Sequence, residues 1–336
     1  MNHTRTVAHL LGCAALSCCF ALTSTACITE NAGVGDTSCP PDECGVNAST
    51  LNDLLFGENH LTPGMNNGNP SDAGAKVVDF VFVDPDPTAL LLIADGTLEV
   101  DVGGQLLRGE DILGSKLIVE DVRNPMMGRQ LIDVHFEDTR RVETWTNTGS
   151  QVAQYIFAYE NDDGDYVSVC SGAADTSEPA AWAVLLTGEK YSLETRSVIG
   201  TEAGIFNIAC AGTALYKMKM MGYEPLREPN SFVKEHQRHA TLKMLVADYC
   251  DSGSTFTEDG TPVQWMNSGG WSFNYPEPSG TVEAYWDQTG ALCLDTPRMG
   301  ADLVDDIRAD CAAVGRSLPS CAGFSGDYEW VTHLPE

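Results

Sequence analysis

The chain has 336 residues, and 48 Asp and Glu against 19 Lys and Arg give it a net charge of −29. A field of that sign repels nucleic acid and anionic lipid, so neither is an expected ligand. Hydrophobic residues at 43% and charged residues at 20% exclude a disordered chain and leave room for one large or two ordinary domains.

Residues 1–26 read as an export signal. Arg5 supplies the positive start, residues 7–22 form a mostly apolar run, and Thr23-Ser24-Thr25-Ala26 offers small residues at a cleavage site. The run is shorter than the ~20 residues a membrane-crossing helix needs, and no other stretch approaches that length. Cleavage before Cys27 predicts lipid on that cysteine and attachment to a membrane. The lipoprotein pattern is imperfect, because Ser24 stands where Leu is usual and the nearest Leu is Leu22. Plain secretion after Ala26 is the alternative. Removing 1–26, which holds Arg5 and no acidic residue, takes the net charge from −29 to −30.

Of 12 cysteines, Cys13, Cys18 and Cys19 leave with the signal and Cys27 takes the lipid. Eight remain: Cys39, Cys44, Cys170, Cys210, Cys250, Cys293, Cys311 and Cys321. An even number in an oxidising compartment predicts disulfides, and the lack of C-x-x-C argues against a redox motif or zinc ribbon. Spacing suggests only two local pairs, Cys39–Cys44 and Cys311–Cys321.

Residues 27–75, rich in Gly, Pro, Asn, Asp and Ser, read as a flexible spacer, with a possible edge strand at 51–61. From residue 77 the pattern has period two. Strands are predicted at 77–83, 97–102, 115–121, 130–136, 142–146 and 153–159, with Gly103-Gly104 as a hairpin turn. Residues 161–165 close a second hairpin onto a strand at 166–170. Beyond residue 170 the pattern is mixed, with strands at 191–197 and 205–210 and a helix at 211–221 stopped by Gly222. A longer helix at 231–249 carries an apolar stripe through Val233, His236, Ala240, Met244, Ala247 and Cys250. A strand at 282–286 and a helix at 301–314 carrying Cys311 complete the chain.

Ala247-Asp248-Tyr249-Cys250 ends the longer helix. Lys243-Met244 precede it, and Asp251-Ser252-Gly253 and Asp259-Gly260-Thr261 follow. Upstream lie Ala209-Cys210, Ala214 and Gly222-Tyr223-Glu224-Pro225, and downstream Glu283-Ala284-Tyr285-Trp286 and Gly290-Ala291-Leu292-Cys293-Leu294. These ordered blocks, over residues 165–325, resemble the ADYC domain family of exported proteins found in myxobacteria and their relatives. Many relatives have a cysteine near the position of Ala240, which this chain lacks. The resemblance implies a compartment and supplies no active site.

Several residues invite chemistry, each with a plainer alternative. Asp248 and Tyr249 sit at a helix end, where Asp can hydrogen-bond loop amides and Tyr can pack. Glu235, His236 and His239 share a helix face, but H-E-x-x-H is absent and no third ligand is evident. Asp162, Asp163 and Asp165 resemble part of a calcium loop and equally an ordinary turn. Asp251-Ser252-Gly253 echoes a serine nucleophile loop without a histidine context or G-x-S-x-G. Trp265, Trp271 and Tyr275 suit a glycan platform or a core.

The expected fold is α+β. An antiparallel β-rich region at 76–170 is followed by a disulfide-stapled mixed α/β region at 171–336, with a soft boundary between them. The expected role is a non-catalytic interaction or structural module of the cell envelope, without cofactor or metal. It would be anchored through Cys27, or secreted, and would hold a protein or glycan partner. The open alternatives are a secreted enzyme using Asp248, His236 and His239, and a glycan binder.

Overall fold

A computed structural model describes residues 47–52, 57–84, 86–123, 130–146, 150–161, 163–170, 181–223, 234–270 and 280–336. The signal at 1–26, Cys27, the Cys39–Cys44 pair, Asp162, Val233, Trp271 and Tyr275 lie outside them.

The fold is α+β and built on antiparallel sheets. In chain order the strands are β1 (Glu58–His60), β2 (Ala75–Val81), β3 (Leu90–Ala94), β4 (Thr97–Val102), β5 (Gln105–Arg108), β6 (Lys116–Asp121), β7 (Gln130–Glu143), β8 (Gln151–Glu160) and β9 (Tyr166–Ser168). They continue as β10 (Ala183–Ser192), β11 (Ser197–Cys210), β12 (Gln264–Asn267), β13 (Thr281–Asp287), β14 (Gly290–Leu294) and β15 (Trp330–Leu334). The helices are α1 (Ala214–Met220), α2 (Glu235–Val246) and α3 (Val304–Ala313). An eight-stranded sheet runs β1-β11-β10-β8-β7-β6-β2, with β9 on β8. A four-stranded sheet runs β12-β15-β13-β14, and a three-stranded one β3-β4-β5.

The large sheet carries a core on each face. Along β10, Val184 and Leu186 enter one core while Ala183 and Leu185 enter the other, as the two-residue period of a strand requires. The first core receives α1, α2 and the four-stranded sheet. The second receives Leu91, Leu98 and Val100 of the small sheet. Being buried on both faces, β10 begins Ala-Val-Leu-Leu without alternation, so its pattern does not announce a strand. The expected strand at 191–197 is instead the end of β10, a turn at 193–196 with Arg196 at φ 52°, and the start of β11. The strands expected at 130–136 and 142–146 are one strand, β7, with a bulge between Phe136 and Asp138.

The large sheet also crosses residues 170 and 171, where the sequence suggests a soft boundary: β10 pairs β8, and a disulfide joins Cys170 to Cys210. The spacer expected to reach residue 75 is structured in its described part. Ala48 and Leu51 are fully buried, the side chain of Asn52 donates to Ile208 O, and β1 pairs β11. Composition concealed this, because here polar residues serve as internal hydrogen-bonding groups.

Two further disulfides tie Cys250 to Cys311 and Cys293 to Cys321. The expected Cys311–Cys321 pair is therefore wrong. Ile307 and Cys311, four residues apart on α3, turn inward together towards the end of α2. Cys321 lies against β14, whose Leu294 N–H donates to Pro319 O. Alkylation without reductant should leave all six of these cysteines unmodified, and reduction should expose them to the label, as read by intact mass. Labelling without reductant would contradict the pairing.

Candidate functional site

The signature tetrapeptide begins where α2 stops. Ala247 takes the left-handed conformation at φ 53° and ends the helix. Its N–H points to Met244 O and that of Asp248 to Lys243 O, the two bonds of a Schellman cap. The next three side chains each fasten a different element.

Asp248 organises the exit loop. Its Oδ1 accepts the N–H of Ser252 and its Oδ2 that of Gly253, both at 3.0 Å. Lys243 Nζ, one turn back on α2, lies 2.7 Å from Oδ2. The ammonium also donates to Thr195 O and meets Asp251 Oδ1 at 2.6 Å, so three donors meet three acceptors. Lys243 and Asp248 are both fully buried.

Tyr249 reaches the four-stranded sheet. Its ring lies 5.0 Å from that of Trp286, and its hydroxyl donates to Glu283 Oε1 at 2.6 Å. Glu283 is gripped by Arg298 in a bidentate pair, Nε to Oε1 at 2.8 Å and Nη2 to Oε2 at 2.7 Å, with both residues at 0% side-chain exposure. The remaining arm, Nη1, donates to Met244 O and caps the last turn of α2. A carboxylate on a strand enters this core because β13 shifts register between Val282 and Ala284, and such bulges re-aim a side chain. Glu189 repeats the device. It follows a register break in β10, accepts from Tyr191 OH at 2.9 Å and pairs with Arg238 of α2.

Cys250 pins the loop to α3 through its disulfide, beside Ser252 and Ser254, whose hydroxyls donate to Asp310 at 2.6 and 2.9 Å. Against the same backbone, Ala291 N–H donates to Tyr249 O at 2.8 Å. Gly290 permits that approach: at φ 101°, a Cβ there would stand 2.6 Å from Tyr249 O.

The electrostatics follow from burial. Burial pushes the Tyr249 hydroxyl well above its ordinary value, helped by the Glu283 carboxylate, and Tyr191 is raised by burial and Glu189. Burial alone would raise Glu283, but the charge of Arg298 and hydrogen bonds from Arg298 and Tyr249 outweigh it and hold the carboxyl below its usual range. A lowered acid contributes stability above its unfolded value, which is lost as pH falls. A raised phenol contributes below its unfolded value, which is lost as pH rises. The melting temperature should therefore fall below about pH 4.3 and again above about pH 10. A flat profile to pH 11 would contradict the tyrosine assignment.

The other sequence candidates do not join this cluster. His236, in the first turn of α2, is half-exposed and 3.5 Å from Glu329 Oε1, and the second half of α2 is buried all round, so the expected apolar stripe does not form. His239 is lowered by burial, and its Nε2 lies 3.7 Å from Glu235 Oε1. Asp248 is sealed in the core, so these three residues do not converge on one exposed surface. Among the described residues no group of three His, Cys, Asp or Glu is placed to hold a metal ion. The side chain of Asn161 accepts the N–H groups of Asp163 and Asp165, forming a turn. Ser252 spends its hydroxyl on Asp310, and Trp265 is fully buried. The sequence reading missed the roles of Lys243, Glu283, Arg298 and the Glu189–Arg238 pair. The one available signal was a carboxylate within an otherwise apolar strand pattern, at Glu283.

A family model described as the ADYC domain matches residues 109–300. It begins earlier than the 165–325 span suggested by sequence blocks and takes in β6 to β9. Cys311 and Cys321 fall outside it, so each C-terminal disulfide ties the matched segment to the tail that follows. No curated protein and no solved structure matches the chain.

Proposed function

The chain belongs to the ADYC domain family, and from that membership we propose that it is a non-catalytic module of the bacterial cell envelope. In this reading residues 1–26 direct export, Cys27 carries lipid, and the folded body holds a protein or glycan partner. The observation that supports a non-catalytic role is the fate of the motif. Asp248, Tyr249, Lys243, Glu283 and Arg298 are all buried with their polar groups bonded inside the protein, leaving them no free group to turn on a substrate. Three disulfides fit an oxidising compartment outside the cytoplasm, and no helix among the described residues is long and apolar enough to cross a membrane.

The anchor is tested in a bacterial host that processes lipoproteins. The wild type should fractionate with membranes and yield an N-terminal peptide with an acylated Cys27, while Cys27→Ser should be released into the soluble fraction. A wild type found soluble, with a free Cys27 after cleavage, would establish plain secretion instead.

A further inference from the structure

The small sheet leaves an edge open inside a cleft. Asp95-Gly96, with φ of 50° and 72°, forms the two-residue turn between β3 and β4. That geometry makes Ala94–Thr97, Leu92–Glu99 and Leu90–Asp101 the hydrogen-bonded pairs, and it turns the backbone groups of Leu91 and Ile93 outward. The first of these outward groups are already met by a strand mimic. The side-chain amide of Asn66 donates to Ala89 O at 2.7 Å and accepts the Leu91 N–H at 2.9 Å. Beyond it, Leu91 C=O and Ile93 N–H and C=O continue the row without a bond to any neighbouring strand among the described residues.

These groups line a half-open cleft of about 450 Å³, faced by Leu61, Gly64, Gly188, Gly204 and Phe206. That volume is in the range of ligand sites. Gly64 leaves the opposite wall low, since nothing stands within 4 Å of where its Cβ would be, and Leu61 and Phe206 make that wall apolar. The charge around it is acidic. Asp95 is exposed next to Ala94, half-exposed Glu202 lies two residues from Gly204 and also meets Lys190 and His60, and Glu99 in the lining is paired with Arg108, all in a chain of net charge −29.

We propose that this cleft docks an extended, basic segment of a partner protein, which adds to β3 as a fourth strand through Leu91 C=O and Ile93 N–H and C=O. An open edge supplies main-chain affinity, alternate pockets accept side chains, and the acidic rim selects the charge of the segment. The proposal deepens the reading of the protein as an interaction module and rests on it.

The test uses the purified full chain and a displayed library of random peptides of about seven residues, a typical strand length. Enriched peptides should be rich in Lys or Arg with alternating apolar residues. They should slow hydrogen exchange at the Ile93 amide, and they should weaken by at least about tenfold on raising salt from about 50 to 500 mM. Ile93→Pro removes the donor on an edge strand, where proline is tolerated, and should reduce affinity by at least about tenfold; because the Ile93 side chain also packs against the second core, the melting temperature is read first. Should that variant misfold, the exchange readout on the wild type decides alone. No enrichment, peptides that protect other amides, or an Ile93 amide already protected in the free protein would overturn the proposal. The last outcome would show that the chain covers its own edge. None of these results touches the Cys27 fractionation, so the two readings fail separately.

Discussion

Glu283→Gln should destabilise the protein by about 3–5 kcal/mol, because it leaves the Arg298 guanidinium buried without its counter-charge. The size of the effect follows from completeness of burial: neither side chain is exposed, and the pair is bidentate. Four donors converge on this carboxylate, from Arg298 Nε, Nη2 and backbone N–H and from Tyr249 OH. Glutamine can satisfy part of that set but presents two donors of its own to a site that supplies only donors. Chemical denaturation should show the lower midpoint, and the acid limb of the stability profile should flatten, since the depressed carboxyl is gone. The double variant Glu283→Leu with Arg298→Met should recover part of the loss. It removes both charges, while still leaving Tyr249 OH and Met244 O without their partners. A Glu283→Gln protein as stable as the wild type would remove this pair from the account.

Replacing both Cys250 and Cys311 by serine should cost about 4 kcal/mol. This is the loop-closure estimate for a sequence separation of 61 residues. The bond is placed to do more than restrict the unfolded chain. It holds α3 against the loop in which Asp248 collects the Ser252 and Gly253 amides, and both sulfurs sit in the core. Thermal melting under oxidising conditions is the measurement. The corresponding change at Cys293 and Cys321, across 28 residues, should cost somewhat less.

What the sequence could reveal was local. Alternation in Thr97–Val102 located β4, Gly222 marked the end of α1, and Gly103-Gly104 fell at a turn. The motif was visible as a helix end, and Asp248 as a binder of loop amides. What stayed hidden needed the third dimension. Bulges turn Glu283 and Glu189 inward against simple alternation, and no residue code marks a bulge in advance. α2 defied the amphipathic pattern because its second half is enclosed on all sides, which is how Lys243 came to be buried. Pairing of the cysteines was decided by which face of α3 turns inward, a matter spacing does not contain.

The Ala-Asp-Tyr-Cys segment is a structural fastening. Native-state hydrogen exchange at the Ser252 and Gly253 amides tests it most directly, because both point at Asp248. Both should exchange only through openings close in free energy to global unfolding, and Asp248→Asn should speed both. Fast exchange at these amides while the surrounding helices and strands stay protected would show a mobile loop, and the motif would then have to be sought a role other than holding the fold.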